Sequence, residues 1–205
     1  MKKFIAISAV ALVLGYTSTT FLSEGVSNYA VYAKKYAPNK AVTTDLETGS
    51  DWVVGEDIKA GTYDLSTTTG SGNVTSNGSG DLNIILGSEA SSDIGQLSNY
   101  RTILKKGESI NISGIPSVHF EAADTSHRIK QGQLSAGEYK IGRDIKPGRY
   151  TISLVEGTGN ISTNDGSLNE IFDTDTSMGV THTTARLHKG AILTFDVQTI
   201  QLDKR

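Results

Sequence analysis

Val54-Gly55-Glu56-Asp57-Ile58-Lys59-Ala60-Gly61-Thr62-Tyr63 is followed 87 positions later by Ile141-Gly142-Arg143-Asp144-Ile145-Lys146-Pro147-Gly148-Arg149-Tyr150. The match runs without a gap from Trp52/Tyr139 through Gly70/Gly157 and Gly72/Gly159 to Asn73/Asn160 and Val74/Ile161. Ungapped self-similarity of this length marks a duplicated folding unit. A closing match, Leu104-Lys105-Lys106-Gly107 with Leu187-His188-Lys189-Gly190, is offset by only 83 positions, so the second unit is four residues shorter. The loss is expected in the polar stretch 87–99, opposite 173–180. Loops that vary on a shared scaffold often carry function, although idle loops vary in length just as readily.

Every residue of the motif has a job in folding. Lys146-Pro147-Gly148-Arg149 reads as a type II turn, with proline presetting φ and glycine supplying a positive φ; Lys59-Ala60-Gly61-Thr62 asks for the same turn without proline. Asp57 and Asp144 stand where a carboxylate accepts backbone N–H groups and ties the incoming strand to the turn. Ile58 and Ile145 point inward, and Tyr63 and Tyr150 open the next strand. Asp57, Gly61, Tyr63, Asp144, Pro147, Gly148 and Tyr150 are therefore read as a structural turn motif rather than a catalytic one.

Around the motif, short alternating runs are punctuated by Gly, Asn, Asp and Ser, with no sustained helical period. The expectation is an all-β protein of two tandem small β-sandwich or jelly-roll-like repeats, about seven strands each. In the first, strands are expected at 52–55, 62–67, 73–76, 82–86, 100–104, 109–113 and 118–122. In the second they are expected at 139–142, 149–155, 159–163, 169–172, 181–187 and 192–197, followed by a short end. The boundaries read as a signal peptide 1–33, a flexible stalk 34–50, repeat one 51–123, a polar linker 124–136 and repeat two 137–205.

The leader reading rests on Lys2 and Lys3 followed by the apolar run Phe4 to Tyr16, which is too short for a bilayer span of about 20 residues. Small residues at Val31 and Ala33 suit cleavage after Ala33, although Glu24 lies in an unusually long gap. An uncleaved, membrane-tethered N-terminus is the alternative. The chain of 205 residues carries 19 basic and 22 acidic side chains, with no long run of either sign. A nucleic-acid surface needs clustered Lys and Arg, so that class is excluded. There is no cysteine, hence no disulfide, thiol nucleophile or Cys-ligated zinc. The Asn-X-Ser/Thr triplets at Asn73, Asn77, Asn111 and Asn160 matter only in a eukaryotic secretory pathway.

The pattern V/I-G-x-D-I-K-x-G-x-Y, then Gly-x-Gly and a terminal L-x-K-G, resembles an exported β-domain repeat of Gram-positive surface and secreted proteins. The resemblance covers both repeats. It implies an extracellular or cell-wall-associated location and a family mostly of unknown function, with no ligand in common. No LPxTG sorting sequence accompanies it.

Searches for catalytic patterns find no Gly-x-Ser-x-Gly elbow, His-Glu-x-x-His pair or phosphate-binding glycine loop. His119, His127, His182 and His188 lack ligand spacing. Asp81, Glu89, Asp93, Glu170 and Asp173 are available carboxylates, but no spacing selects a glycosidase pair from them. Asp173-Thr174-Asp175-Thr176-Ser177 begins like a calcium loop, yet Met178 and Thr184 replace its glycine and glutamate. Trp52 and its counterpart Tyr139 would stack on sugars if exposed; equivalent positions in two repeats more often pack equivalently in a core. No metal or cofactor is expected. The expected function is a non-catalytic interaction module, secreted or on the cell surface, that binds an extracellular protein or a cell-wall glycan. The alternative is a secreted hydrolase or enzyme inhibitor using the loops 87–99 and 173–180.

Overall fold

The structure, a computed structural model, describes residues 38–78 and 82–205. The leader 1–33, its cleavage site, residues 34–37 of the expected stalk and Asp81 lie outside the described residues. The first half holds β1 (Thr44–Glu47), β2 (Asp51–Val53), β3 (Gly61–Ser66), β4 (Ser71–Ser76), β5 (Asn83–Gly87), β6 (Gln96–Leu97), β7 (Asn99–Leu104), β8 (Ser109–Ser113) and β9 (Ser117–Ala122). The second holds β10 (Gln131–Lys140), β11 (Gly148–Glu156), β12 (Gly159–Thr163), β13 (Asn169–Phe172), β14 (His182–Leu187) and β15 (Ile192–Lys204). One 3-10 turn, Ser92–Ile94, precedes β6. The described residues are otherwise all-β.

Alternation makes the strands. In β7 the side chains of Tyr100, Thr102 and Leu104 are buried while those between them are partly exposed, and β8 buries Ile110 and Ile112 in the same way, as the two-residue period of a pleated strand requires. The apolar faces gather into two clusters. One is centred on Tyr63, Leu65, Leu86, Ile110 and Phe120, the other on Tyr150, Ile152, Phe172, Phe195 and Ile200.

Strand pairing matches between the halves residue for residue. Thr44↔Phe120, Trp52↔Ile110 and Tyr63↔Thr102 in the first half become Gln131↔Asp203, Tyr139↔Leu193 and Tyr150↔Ala185 in the second. The halves differ in continuity. Five strands, β2-β8-β4-β5-β6, form one sheet, whereas the other ten form a single sheet that crosses from the first half into the second. The crossing is made by β7 and β10, and the layers of the second half are merged by β15, which does with one strand and a bulge what β8 and β9 do with two. Its pairing shifts register between Ser135 and Gly137 on one side and between Leu154 and Glu156 on the other. Such bulges let one strand turn a corner and serve two layers.

Most expected strands coincide with observed ones to within about two residues, but β10 begins well before the expected 139, β15 runs well beyond the expected 197, and both connecting segments need correction. Residues 38–50 are not a free stalk. Leu46 is buried, β1 pairs with β9, and the Asn39 side chain donates to Thr62 O (2.7 Å) and Ala123 O (2.9 Å) while accepting from Thr62 N (3.0 Å). Residues 124–136 are not merely a linker, because Ile129 exchanges backbone hydrogen bonds with Asp144 and Lys146 and β10 begins at Gln131. The short end expected after residue 197 is the second half of β15. Length variation is also split. Val74↔Ile84 corresponds to Ile161↔Glu170, so one residue is lost in the β4–β5 turn and the remaining three between β5 and β7.

Candidate functional site

Within the motif, the turn lies earlier than the Pro-Gly pair suggests. Positive φ occurs at Gly55 (99°) and Gly142 (97°). There, Gly55 N donates to Ile58 O (2.6 Å) and Asp57 N to Val53 O (2.9 Å), and the second half repeats both bonds, from Gly142 to Ile145 and from Asp144 to Lys140. Asp57 Oδ2 accepts from Val53 N (2.8 Å) and Asp144 Oδ2 from Lys140 N (2.7 Å). Each carboxylate thus closes its turn, Asp144 from a buried position and Asp57 from an exposed one. The type II reading of Lys59–Thr62 and Lys146–Arg149 is incorrect. Thr62 N is taken by Asn39 rather than by Lys59 O, and Gly148 (φ 156°) is already the first residue of β11. Gly61 is required for space: a Cβ there would lie 2.7 Å from both Ala41 N and Asn39 Oδ1. Pro147 immediately precedes that strand, and its carbonyl accepts from Lys204 Nζ (3.4 Å).

Tyr63 and Tyr150 are fully buried, and each hydroxyl donates to the carbonyl four residues back, Lys59 O (2.7 Å) and Lys146 O (2.5 Å). These bonds pin the motif to the next strand. All seven motif residues therefore lie at two separate turns, one per half, and do not converge on a common site.

What does converge is the joint between the halves, where β7 and β10 run parallel with Gly137 opposite Arg101. A Cβ on Gly137 would lie 2.5 Å from Arg101 N and 2.6 Å from Arg101 Cβ, so only glycine permits the approach. One residue on, Glu138 is buried and its Oε2 accepts from Ile103 N (2.8 Å) and Thr102 Oγ1 (3.3 Å). Burial pushes its carboxyl above the ordinary glutamate range, and those two hydrogen bonds and Lys105 only partly offset the shift. Arg101 spans the seam. Its guanidinium is bidentate to Asp64 (2.7 and 2.8 Å) and lies 5.0 Å from the centroid of the Tyr139 ring. Tyr139 stacks on Phe195 behind it, and burial raises the Tyr139 phenol well above its usual value. Ala136 packs into the first cluster, and Gln198 Nε2 donates to Ser98 Oγ (2.9 Å).

Beside this joint, residues 90–97 of the longer loop face Glu156, Gly157, Thr158, Asp196 and Gln198 across a polar depression of about 200 Å3. Asp93, Glu156 and Asp196 border it, but Asp196 Oδ1 already accepts from Asn160 N (2.5 Å). The second loop lines a different, more open depression of about 420 Å3 with Ile171, Met178 and Val180, the first two more than half exposed. The two loops thus do not share a site. Glu170 and Asp173 belong to the second depression and its margin, Asp93 to the first, and the Glu89 carbonyl accepts from Gln96 Nε2 (2.7 Å).

The remaining candidates are engaged locally. His119 Nδ1 meets Asp45 (2.7 Å), His188 Nδ1 meets Asp165 (2.9 Å), His127 Nδ1 meets Ser126 (2.6 Å) and His182 Nδ1 meets Thr181 Oγ1 (3.4 Å). Hydrogen bonds from Ser167, His188 and Thr163 hold the Asp165 carboxyl far below the usual carboxylate range. In the would-be calcium loop, Asp173 caps Asp175 N and Asp175 accepts from Ser177 N and Oγ, which lowers the Asp175 pKa. Trp52 is partly buried against the first core, its Nε1 donating to Glu47 O (2.9 Å). No residue type advertised the joint in advance except Gly137, whose counterpart is Ser50.

No protein-family model, curated protein or solved structure matches the chain.

Proposed function

We propose that the chain is a non-catalytic interaction module, two tandem small β-sandwich units of the Gram-positive exported type, acting as a secreted or cell-wall-associated protein. The matched pairing registers and separate core clusters support the tandem reading, and the lysine-led apolar leader in the sequence supports export. Membrane attachment enters only if that leader is retained. The partner is an extracellular protein or a cell-wall glycan.

The observation that carries the reading is the composite face at the joint. The β7–β10 seam holds residues 90–97 of one half beside 156–158 of the other, a loop pair positioned by a rigid scaffold in the manner of many binding surfaces. A secreted hydrolase or enzyme inhibitor fits less well, because the two loops it would use line separate depressions and one carboxylate bordering the first is spent on a backbone amide.

Co-sedimentation of the purified protein with isolated cell walls, with and without EDTA, tests the proposal. Saturable pelleting that weakens in D93K and E156K supports an envelope ligand at this face, and loss with EDTA would require a metal. Protein wholly in the supernatant rejects the wall-glycan partner and turns the search to soluble extracellular proteins.

A further inference from the structure

The joint has two sides, and the matched registers say where each would recur at the outer edges of the two halves. On the receiving side, β7 presents Arg101, with Asp64 across the strand pair. The equivalent pair on the outer strand of the second half is Thr184 on β14 with Thr151 on β11, and β14 ends the ten-stranded sheet with one edge unpaired. On the inserting side, β10 brings Gly137-Glu138-Tyr139. The equivalent stretch of the first half is Ser50-Asp51-Trp52, which keeps an acid followed by an aromatic ring and lies at the exposed start of β2.

A second copy of the chain could therefore repeat the joint head to tail, its Asp51 reaching the amide of Arg186 as Glu138 reaches Ile103. Such a heterologous contact does not close on itself and grows into filaments. Residues on both sides stand in the way. Ser50 carries a Cβ where Gly137 tolerates none within 2.6 Å of the opposing Arg101 backbone and Cβ. Thr184 supplies no guanidinium to cover the Trp52 ring, and Thr151 is already engaged by Arg205 Nε (2.7 Å). We infer that Ser50 and Thr184 close the outer edges of the two halves against a further copy, so that a connector competent for head-to-tail assembly is used between the halves and not between molecules.

This inference goes beyond the proposed function and does not depend on the partner. It is tested by light scattering of the full chain across a concentration series, comparing wild type, T184R and S50G/T184R, with melting curves as the check on folding. Wild type and T184R, which both keep Ser50, are expected to hold a constant monomer mass. S50G/T184R is expected to show a mass that rises with concentration past the dimer. Should the double variant not fold, S50G alone is expected to rise, more weakly. A wild type or T184R that chains as far as the double variant would overturn the role of Ser50. A folded double variant, or a folded S50G in its place, that stays monomeric would overturn the connector itself.

Discussion

Gly137 runs parallel to Arg101 so closely that a side-chain carbon on the glycine would sit 2.5 Å from the arginine amide nitrogen. That approach lets the next residue, Glu138, bury its carboxylate against Ile103 N–H, and the one after, Tyr139, lie under the Arg101 guanidinium. Three consecutive residues thereby join two cores that are otherwise separate clusters. The energetic centre of the joint is polar, and a buried polar group without its partner costs about 1–3 kcal/mol.

Glu138 makes the joint pH-sensitive. The native state keeps a proton on this carboxyl to a higher pH than the unfolded chain does, so its contribution is full below the ordinary glutamate value of about 4.3 and declines as pH rises through the native value. E138Q, which keeps an acceptor for Ile103 N–H, is expected to lack that decline. Thermal melts between about pH 4 and 7 should show the variant gaining on wild type as pH rises, while parallel curves would contradict the assignment. E138A, which strands the Ile103 amide, should be less stable than E138Q by about 1–3 kcal/mol.

The turn of the motif is predicted to depend on its first glycine more than on its second. Gly142 has φ 97° and its Cβ would touch Lys189 Cγ at 3.0 Å, whereas at Gly148 the obstacle is the flexible end of Lys204. G142A should cost more than about 1 kcal/mol and G148A less than G142A. Chemical denaturation of the two variants decides; the reverse order would restore the turn to Lys146–Arg149.

Asn39 anchors the segment that leads into β1. Removing its amide in N39A withdraws the partners of Thr62 N, Thr62 O and Ala123 O together, an expected loss of about 1–3 kcal/mol. Amide exchange at Thr62 should accelerate and limited proteolysis should appear between residues 40 and 50. Unchanged protection would mean that β1 holds this segment unaided.

The alternation of β8 and β9 was legible in the sequence because one face of each strand is apolar and the other polar. β1 was not, since Leu46 is its one buried side chain and its neighbours Thr44, Asp45 and Glu47 look like any polar tether. The turn was misplaced because Pro147-Gly148 is the stronger local signal, yet glycine is needed at Gly61 for room beside Asn39 and at Gly55 and Gly142 for the positive φ. The joint left almost no trace. Parallel pairing of strands distant in sequence has no local periodicity, and Glu138 reads as an ordinary solvent-facing strand residue until Ile103 is placed beside it.

Trp52 is the single tryptophan and lies in the first half, so its fluorescence reports on that core alone, while Gly137 belongs to β10 of the second. Thermal melting of G137A followed at Trp52 is therefore the most direct test of a joint that couples the two cores. Overpacking of about 1–3 kcal/mol should lower the Trp52 midpoint by several degrees, at about 2–4 °C per kcal/mol for a chain of this size. A Trp52 midpoint unchanged from wild type would contradict the account, because the first half would then be indifferent to the strand that is held here to complete it.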